Sequence, residues 1–400
     1  MASSRLAGTA AVAIVIGGLA VGLSPGASAQ VLIVGNDEKQ GWDDNLKPIF
    51  REPGRDSLTV IDISKPDGPR IASSISLMNS VVGPPTNLAF TPAADIALVA
   101  NSLEPLVQEW GRRLEPDNKV FLIDLKANPP AVIGTITVGK QPSGMAISPK
   151  GDLALVANRA DGTISVLSIH GKDVLVLDTV PVGAAGDSVS AVAITPDGKH
   201  ALATKFNNHK VALLDVNGDK VTYTKLDLPT GPWPYNVAVA PSGKIALTAD
   251  NGNAGSSDGS VDTVSVIDLE AKPPRIIDRV VVGNDTIGDG PEGIAVSPRG
   301  DVAVAAILAG SNMKNAYFYH PNGAIAVLRI DGKKVTHVGD IEVGGLPEGL
   351  GFTPDGKYLL VGNYLDQDIS ILKVDGTTVT NTGKRFKLPG HPASVGMSKQ

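Results

Sequence analysis

The chain has 400 residues, a formal net charge of −6, 42% hydrophobic residues but only 4% aromatic ones, and no cysteine. Without cysteine there is no disulfide framework, thiolate metal centre, cysteine nucleophile or lipidated N-terminal cysteine. The acidic balance argues against nucleic acid as a main partner, and the densest basic patch, Lys384-Arg385-Phe386-Lys387, reads as a solvated strand.

In chain order, Arg5, the uncharged apolar run Ala10–Leu23 and Ala27-Ser28-Ala29 before Gln30 have the pattern of a Sec-type signal peptide cleaved after Ala29. The apolar run is too short for an anchor, and no other segment predicts a membrane span. The expected organisation is therefore a signal peptide over 1–29 and a mature, periplasmic or secreted domain over 30–400.

From Pro85 onward one phrase returns. It reads PTNLAFTPAAD from Pro85, PSGMAISPKGD from Pro142, VSAVAITPDGK from Val189, PYNVAVAPSGK from Pro234, PEGIAVSPRGD from Pro291, PEGLGFTPDGK from Pro347 and a short PASVGMS from Pro392. Seven starts, spaced like four-stranded propeller blades, predict seven units. Within each unit an apolar run leads into a Pro-x-Gly turn (Pro149–Gly151, Pro196–Gly198, Pro354–Gly356), where proline sets φ and glycine admits the left-handed position of a tight hairpin. Alternating segments rich in Val, Ile and Leu follow, with a second hairpin at places such as Asn217-Gly218-Asp219 and Asp375-Gly376. The reading is all-β. Residues 392–400 supply one strand of the seventh unit, and Val31–Val34, Ser57–Ile63 and Arg70–Leu77 supply the other three, so the termini close a ring and remove its free sheet edges.

The phrase Ile-Ala-Val-Ser-Pro-x-Gly, followed by Leu-Val-Ala-Asn (Leu155–Asn158; compare Leu98–Asn101) and Val-Ile-Asp (Val266–Asp268), resembles the bacterial YVTN-type repeat. The resemblance covers 30–400. It implies a seven-bladed β-propeller of four-stranded antiparallel blades in the broad lactonase-like group, which includes binding proteins, surface-layer proteins and enzymes.

In such a ring the connections between the second and third strands of a blade, and those entering the innermost strand, share one face around the channel mouth. The enlarged segments Asn36–Asp56, Asn101–Asn118, Asp250–Asp262 and Ile307–Gly323 all fall there. They carry Trp42, Trp110, Tyr317, Phe318 and Tyr319, with Trp233 and Phe206 nearby, so an aromatic-poor chain concentrates its rings on one face, either to hold a ligand or to pin the loops.

Two columns of equivalent residues line the mouth. The second residue of the phrase gives Thr86, Ser143, Ser190, Tyr235, Glu292, Glu348 and Ala393; the end of the second strand gives Asn36, Asn101, Asn158, Lys205, Asp250, Ile307 and Asn363. The asparagines are expected to accept local backbone bonds as turn residues. Glu292 and Glu348, in adjacent blades, should repel unless Lys205 or Arg159 compensates them, or a divalent cation such as Ca2+ does so with Asp250, Asn236 and Asn363 as further oxygen ligands. His320 and His391 are the two histidines expected on this face, as a base or ligand. Gly255-Ser256-Ser257-Asp258-Gly259 matches a nucleophile-elbow pattern without the strand, turn and helix that such an elbow needs, and Arg299-Gly300-Asp301 is a hairpin turn.

The expected function is an exported, monomeric propeller that binds a small molecule or partner protein at an aromatic-rimmed mouth. A lactonase-like or metal-dependent enzyme and a self-assembling cell-surface protein are the alternatives.

Overall fold

The computed structural model describes residues 30–45, 47–52, 54–108, 111–252, 262–283 and 290–398. The expected signal segment, Trp110 and Gly255–Gly259 lie outside them. Seven four-stranded antiparallel sheets form a seven-bladed β-propeller, six of them running in sequence order from the axis outward. Blades 1 to 6 begin with the inner strands at Leu88, Pro142, Val189, Pro234, Pro291 and Pro347. Blade 7 is assembled from Pro392–Met397, Val31–Asn36, Ser57–Asp62 and Arg70–Ser76, which closes the ring. Among the described residues no helix is long and apolar enough to cross a membrane.

Burial follows from the stacking of blades. The second strand, such as Leu153–Asn158, is covered on both faces and is buried at all six positions; the outer strand Asp173–Pro181 is mostly exposed. Each apolar cluster is shared by two neighbours: Leu155, Val166, Ala203 and Leu214 join blades 2 and 3. Leu32 and Val395 of the split blade meet Leu360 and Ile371 of blade 6 on one side, while its Ile33 and Val60 meet Leu98's neighbours Ala97 and Val99 of blade 1 on the other. The core is thus a closed series of interfaces, so loss of one blade exposes two of them.

The phrase owes its recurrence to local chemistry. Its Ser or Thr hydroxyl holds the turn that follows: Ser148 Oγ accepts from Leu153 N at 3.2 Å and Thr353 Oγ1 from Tyr358 N at 3.0 Å. Gly151 takes a φ of 79° at the tip. At the axis the inner strands approach too closely for a side chain, and a Cβ at Gly293 would lie 2.7 Å from Glu348 O.

The start of the inner strand is irregular. Pairing with the second strand shifts register between Pro142 and Met145, Pro234 and Asn236, Pro291 and Ile294, and Pro347 and Leu350. Such bulges re-aim side chains, and here they free the second phrase residue from the ladder at the axis.

The enlarged connections join second to third strands, as the strand order requires. In blade 7 the connection folds into a hairpin pairing Gln40–Trp42 with Pro48–Phe50. The Asn101–Asn118 segment, read from sequence as a loop, instead extends both strands to a hairpin that pairs out to Gln108 and Gly111. Lys119 bridges Glu104 and Asp117 at its base, at 2.8 and 2.6 Å.

Candidate functional site

The mouth has two unlike halves. On one side Val81, Leu308, Leu346, Tyr364 and Ala393 form a buried apolar cluster against which Trp42 and Val82 pack. These residues come from connections around blades 5, 6 and 7 and from the segment entering blade 1. Trp42 meets Tyr364 edge to face at 5.8 Å, and the Tyr364 hydroxyl donates to Gln40 O at 2.9 Å.

Beneath this cluster lies a charged triad that the sequence reading missed. Lys39, 1% exposed, reaches Asp56 at 2.8 Å and Asp37 at 3.3 Å, and both carboxylates are buried as well. The same carboxylates fix the segment that crosses toward the axis: Asp37 Oδ2 accepts from Val81 N at 2.8 Å, and Asp56 Oδ2, the oxygen on Lys39, also accepts from Asn79 N at 3.2 Å. Burial pushes the Asp37 carboxyl up, against the attraction of Lys39. The cue in the sequence was two aspartates and a lysine within one insertion, a pattern that does not distinguish a buried triad from a solvated loop.

The other half is polar and partly open. Arg159, after the second strand of blade 2, lies over the rings of Phe206 and Tyr235 at 5.3 and 5.6 Å, and its Nε donates to Ser188 Oγ at 2.7 Å. Phe206 and Tyr235 meet edge to face at 5.4 Å. The Tyr235 hydroxyl reaches across the axis to accept from Gly83 N at 2.9 Å, which ties the two halves together. Glu292 is partly exposed and accepts from Asn251 Nδ2 at 3.1 Å.

Glu348 is buried, and its Oε2 has no hydrogen-bond partner among the described residues. Burial pushes the Glu292 carboxyl up to about 7, opposed by the Asn251 bond and the Arg159 charge. Burial, and then the charge of Glu292, raise Glu348 well above the usual carboxylate range. The two carboxylates thus sense each other, with Arg159 as the cation that Glu292 and Tyr235 both feel.

Lys205 does not take that role. It pairs with Asp227 at 2.9 Å and Asp187 at 3.4 Å, within its own blade and the connection entering it. The asparagines of its column likewise bond within their own blades. Asn36 Nδ2 donates to Thr59 Oγ1, Asn158 Nδ2 to Ser165 Oγ and Asn363 Nδ2 to Ser370 Oγ, at 2.9, 2.9 and 2.8 Å. These asparagines staple strands by donating to side chains, where the sequence reading expected them to accept from local backbone.

The oxygen set proposed for a cation is not assembled. Asp250 accepts from Thr248, Thr263, Ser265 and Gly231 N, and burial raises its pKa to about 6. Asn363 Oδ1 accepts from Gly344 N, and Asn236 Oδ1 from Val237 N. Only Glu292 and Glu348 remain, and among the described residues no three acidic or histidine side chains are grouped to hold a metal. A calcium ion needs six to eight oxygens, so these residues do not fit one.

The histidines divide. His391 Nδ1 bonds Glu38 at 2.7 Å, and its ring lies 5.0 Å from Tyr364 in the capped half. His320 is exposed, bonds Asn322 O locally and sits 3.6 Å from Glu342. Tyr317 and Tyr319 are exposed on the same connection, with Tyr317 packed on Phe318. His209, which the sequence reading left off this face, accepts from Trp233 N at 2.9 Å and packs edge to face on the Trp233 ring at 4.8 Å. Trp233 therefore stands beside the open half, on a backbone with a φ of 53°.

The sequence matches no family model and no curated protein. Solved structures do match. A proposed 6-phosphogluconolactonase of Bacteroides uniformis superposes with a TM-score of 0.69 at 16% identity over 93% of this chain and 100% of its own. The Pseudomonas aeruginosa periplasmic gluconolactonase gives 0.67 at 16% over 92% and 99%, and the Kuenenia stuttgartiensis hydrazine synthase 0.59 at 18% over 79% and 90%. The class is that of the seven-bladed propellers, with lactonase-like propellers among its structural neighbours. In all, 1228 chains match, so the fold alone selects no activity.

Proposed function

We propose that the mature chain is an exported propeller that binds a small hydroxylated molecule, of the sugar or sugar-lactone kind, in the open half of the mouth. The observation that carries this reading is the convergence of Arg159, Tyr235 and Glu292 beside the partly exposed rings of Phe206 and Trp233. A guanidinium and a carboxyl offer directional bonds to hydroxyl and carbonyl oxygens, and the rings offer apolar faces to a sugar. Calorimetric titration of the purified chain with hexoses and their lactones tests it. Arg159→Ala should weaken binding about tenfold or more, as expected for loss of one charge-assisted bond. Heat signals unchanged by this variant would remove the site from this half.

A second reading is lactone hydrolysis, favoured by Glu292 itself. A carboxyl that titrates near neutrality can take a proton from water as that water attacks the lactone carbonyl, then return it to the ring oxygen as the C–O bond breaks. Arg159 stands where it could offset developing negative charge. Gluconolactone hydrolysis followed at constant pH should then fall about a hundredfold in Glu292→Gln. Binding without turnover would leave the chain a binding protein.

A further inference from the structure

Between blades 3 and 4, on the face opposite the mouth, lies a cavity of about 710 Å³. Leu202, Leu213 and Leu226 of blade 3 and Leu269 and Pro274 of blade 4 line it, and Asp197, His200, Asp215 and Lys272 stand among them. Its position has a cause in the repeat. The first residue of a second strand faces the following blade, and in six blades it is Val31, Ile96, Leu153, Ile245, Val302 or Tyr358, each packed in or against the apolar cluster shared with that neighbour. Blade 3 has His200 at this place. Its side chain is 56% exposed, bonds Asp215 at 3.1 Å and takes no part in the cluster that joins blades 3 and 4. An imidazole held out in this way leaves unfilled the space that the repeat gives to an aliphatic or aromatic side chain.

The outer strand widens the same opening. Near Thr224 it shifts register and arches, with Thr224 Oγ1 donating to Leu213 O at 2.8 Å. Blade 6 has the same arch, where Thr382 Oγ1 donates to Ile371 O. There, however, Lys384 stands where blade 3 has Leu226, and it crosses to Asp67 of blade 7 at 3.4 Å. Blade 3 has a leucine and no such crossing.

We infer that this cavity is a ligand site separate from the mouth, for an apolar amine whose hydrocarbon body lies among the leucines and whose ammonium meets Asp215. The volume suits a small molecule, and a mostly apolar wall with a few polar groups is the usual make-up of such a site. The choice of an amine rests on Asp215. Its equivalents, set opposite the same first residue of the second strand, are Asp62, Asp124 and Asp268. Each holds a basic side chain, Arg70, Lys172 and Lys333, at 2.8, 2.6 and 2.7 Å. Among the described residues the Asp215 side chain bonds His200 alone, and Lys272 on the far wall does not reach it. A ligand ammonium takes the place that a lysine or arginine occupies in the other blades. An exposed ion pair selects by up to about fivefold, so burial of the hydrocarbon supplies most of the affinity and Asp215 the preference for an amine.

Calorimetric titration with hexylamine, hexanol and hexanoate tests this. Hexylamine should bind tightest, and Asp215→Asn should weaken it about fivefold while leaving hexanol unchanged. Lys272→Ala should bind hexylamine at least as tightly as the wild type. His200→Leu returns the apolar side chain of the other blades to this place, so it should melt higher than the wild type and bind all three compounds about tenfold more weakly. The same variant should bind hexoses and their lactones at the mouth as the wild type does, which keeps the two sites apart. No binding of hexylamine, hexanoate bound as tightly as hexylamine, or an unchanged hexylamine affinity in His200→Leu would overturn the inference.

Discussion

The two halves of the channel mouth are built from the same positions of the repeat and have opposite character. Around blades 5 to 7 the connections close over Tyr364 and Trp42 and bury a lysine between two aspartates. Around blades 2 to 5 they leave Arg159, Trp233 and Glu292 in partial contact with solvent. In the capped half every charge of the triad has a partner at bonding distance, so its charges serve to hold backbone. Among the described residues Glu292 of the open half has one neutral donor, and the buried Glu348 of blade 6 has none at Oε2. Carboxyls with pKa values perturbed in this way cluster at functional sites.

The largest expected effect lies in the capped half. Lys39→Met removes the one cation between Asp37 and Asp56 and leaves two carboxylates in the interior. Breaking a buried pair in this way costs about 3–5 kcal/mol, read as a lower urea midpoint at neutral pH. A midpoint within error of wild type would mean that water already reaches the triad, and the contrast between the halves would lose its basis.

In the open half the effect is smaller and depends on pH. The Glu292 carboxyl titrates near 7 when folded against an ordinary value of 4.5. The folded state therefore binds more protons between those limits, and stability falls as pH rises through the window, by up to about 3 kcal/mol. Glu292→Gln should flatten that slope and melt higher than wild type at pH 8 while matching it near pH 4. Parallel curves for the two proteins would assign the slope to Glu348, Asp250 and Asp37, the buried carboxyls raised in the folded state.

Much of this was legible in the sequence. The phrase encodes the inner strand, its turn and the next strand through proline, glycine and a hydroxyl at fixed places, so seven recurrences specify seven blades and the split closure. The second phrase column also pointed to Tyr235, Glu292 and Glu348, because a residue freed by the bulge at the axis has few directions to take. What was not legible depends on side-chain direction at strand ends. Lys205 and Asn363 share a column and both bond within their own blades, Lys205 to the fourth strand and Asn363 to the third, which removed one from the carboxylates and the other from any cation site. The Lys39 triad depends on how one insertion folds back on the segment after Leu77, and no repeat sets that geometry.

The smallest expected effect is the most informative about how the halves communicate. Tyr235 belongs to the open half by its contacts with Arg159 and Phe206, yet its hydroxyl is the group on Gly83 N, in the segment that Asp37 and Asp56 pin at Val81 and Asn79. Tyr235→Phe keeps the ring and its packing while leaving that amide unpaired, at a cost of about 1–2 kcal/mol. Amide exchange should rise at Gly83 and its neighbours and stay slow at Val81, which keeps its own bond to Asp37. A ligand in the open half should then bind more weakly in Tyr235→Phe although the changed atom faces the cap, because the ring loses the anchor that fixes it under Arg159. Unchanged exchange at Gly83 would show the two halves to be independent, each stable on its own bonds, and the hydroxyl contact across the axis to be incidental to both.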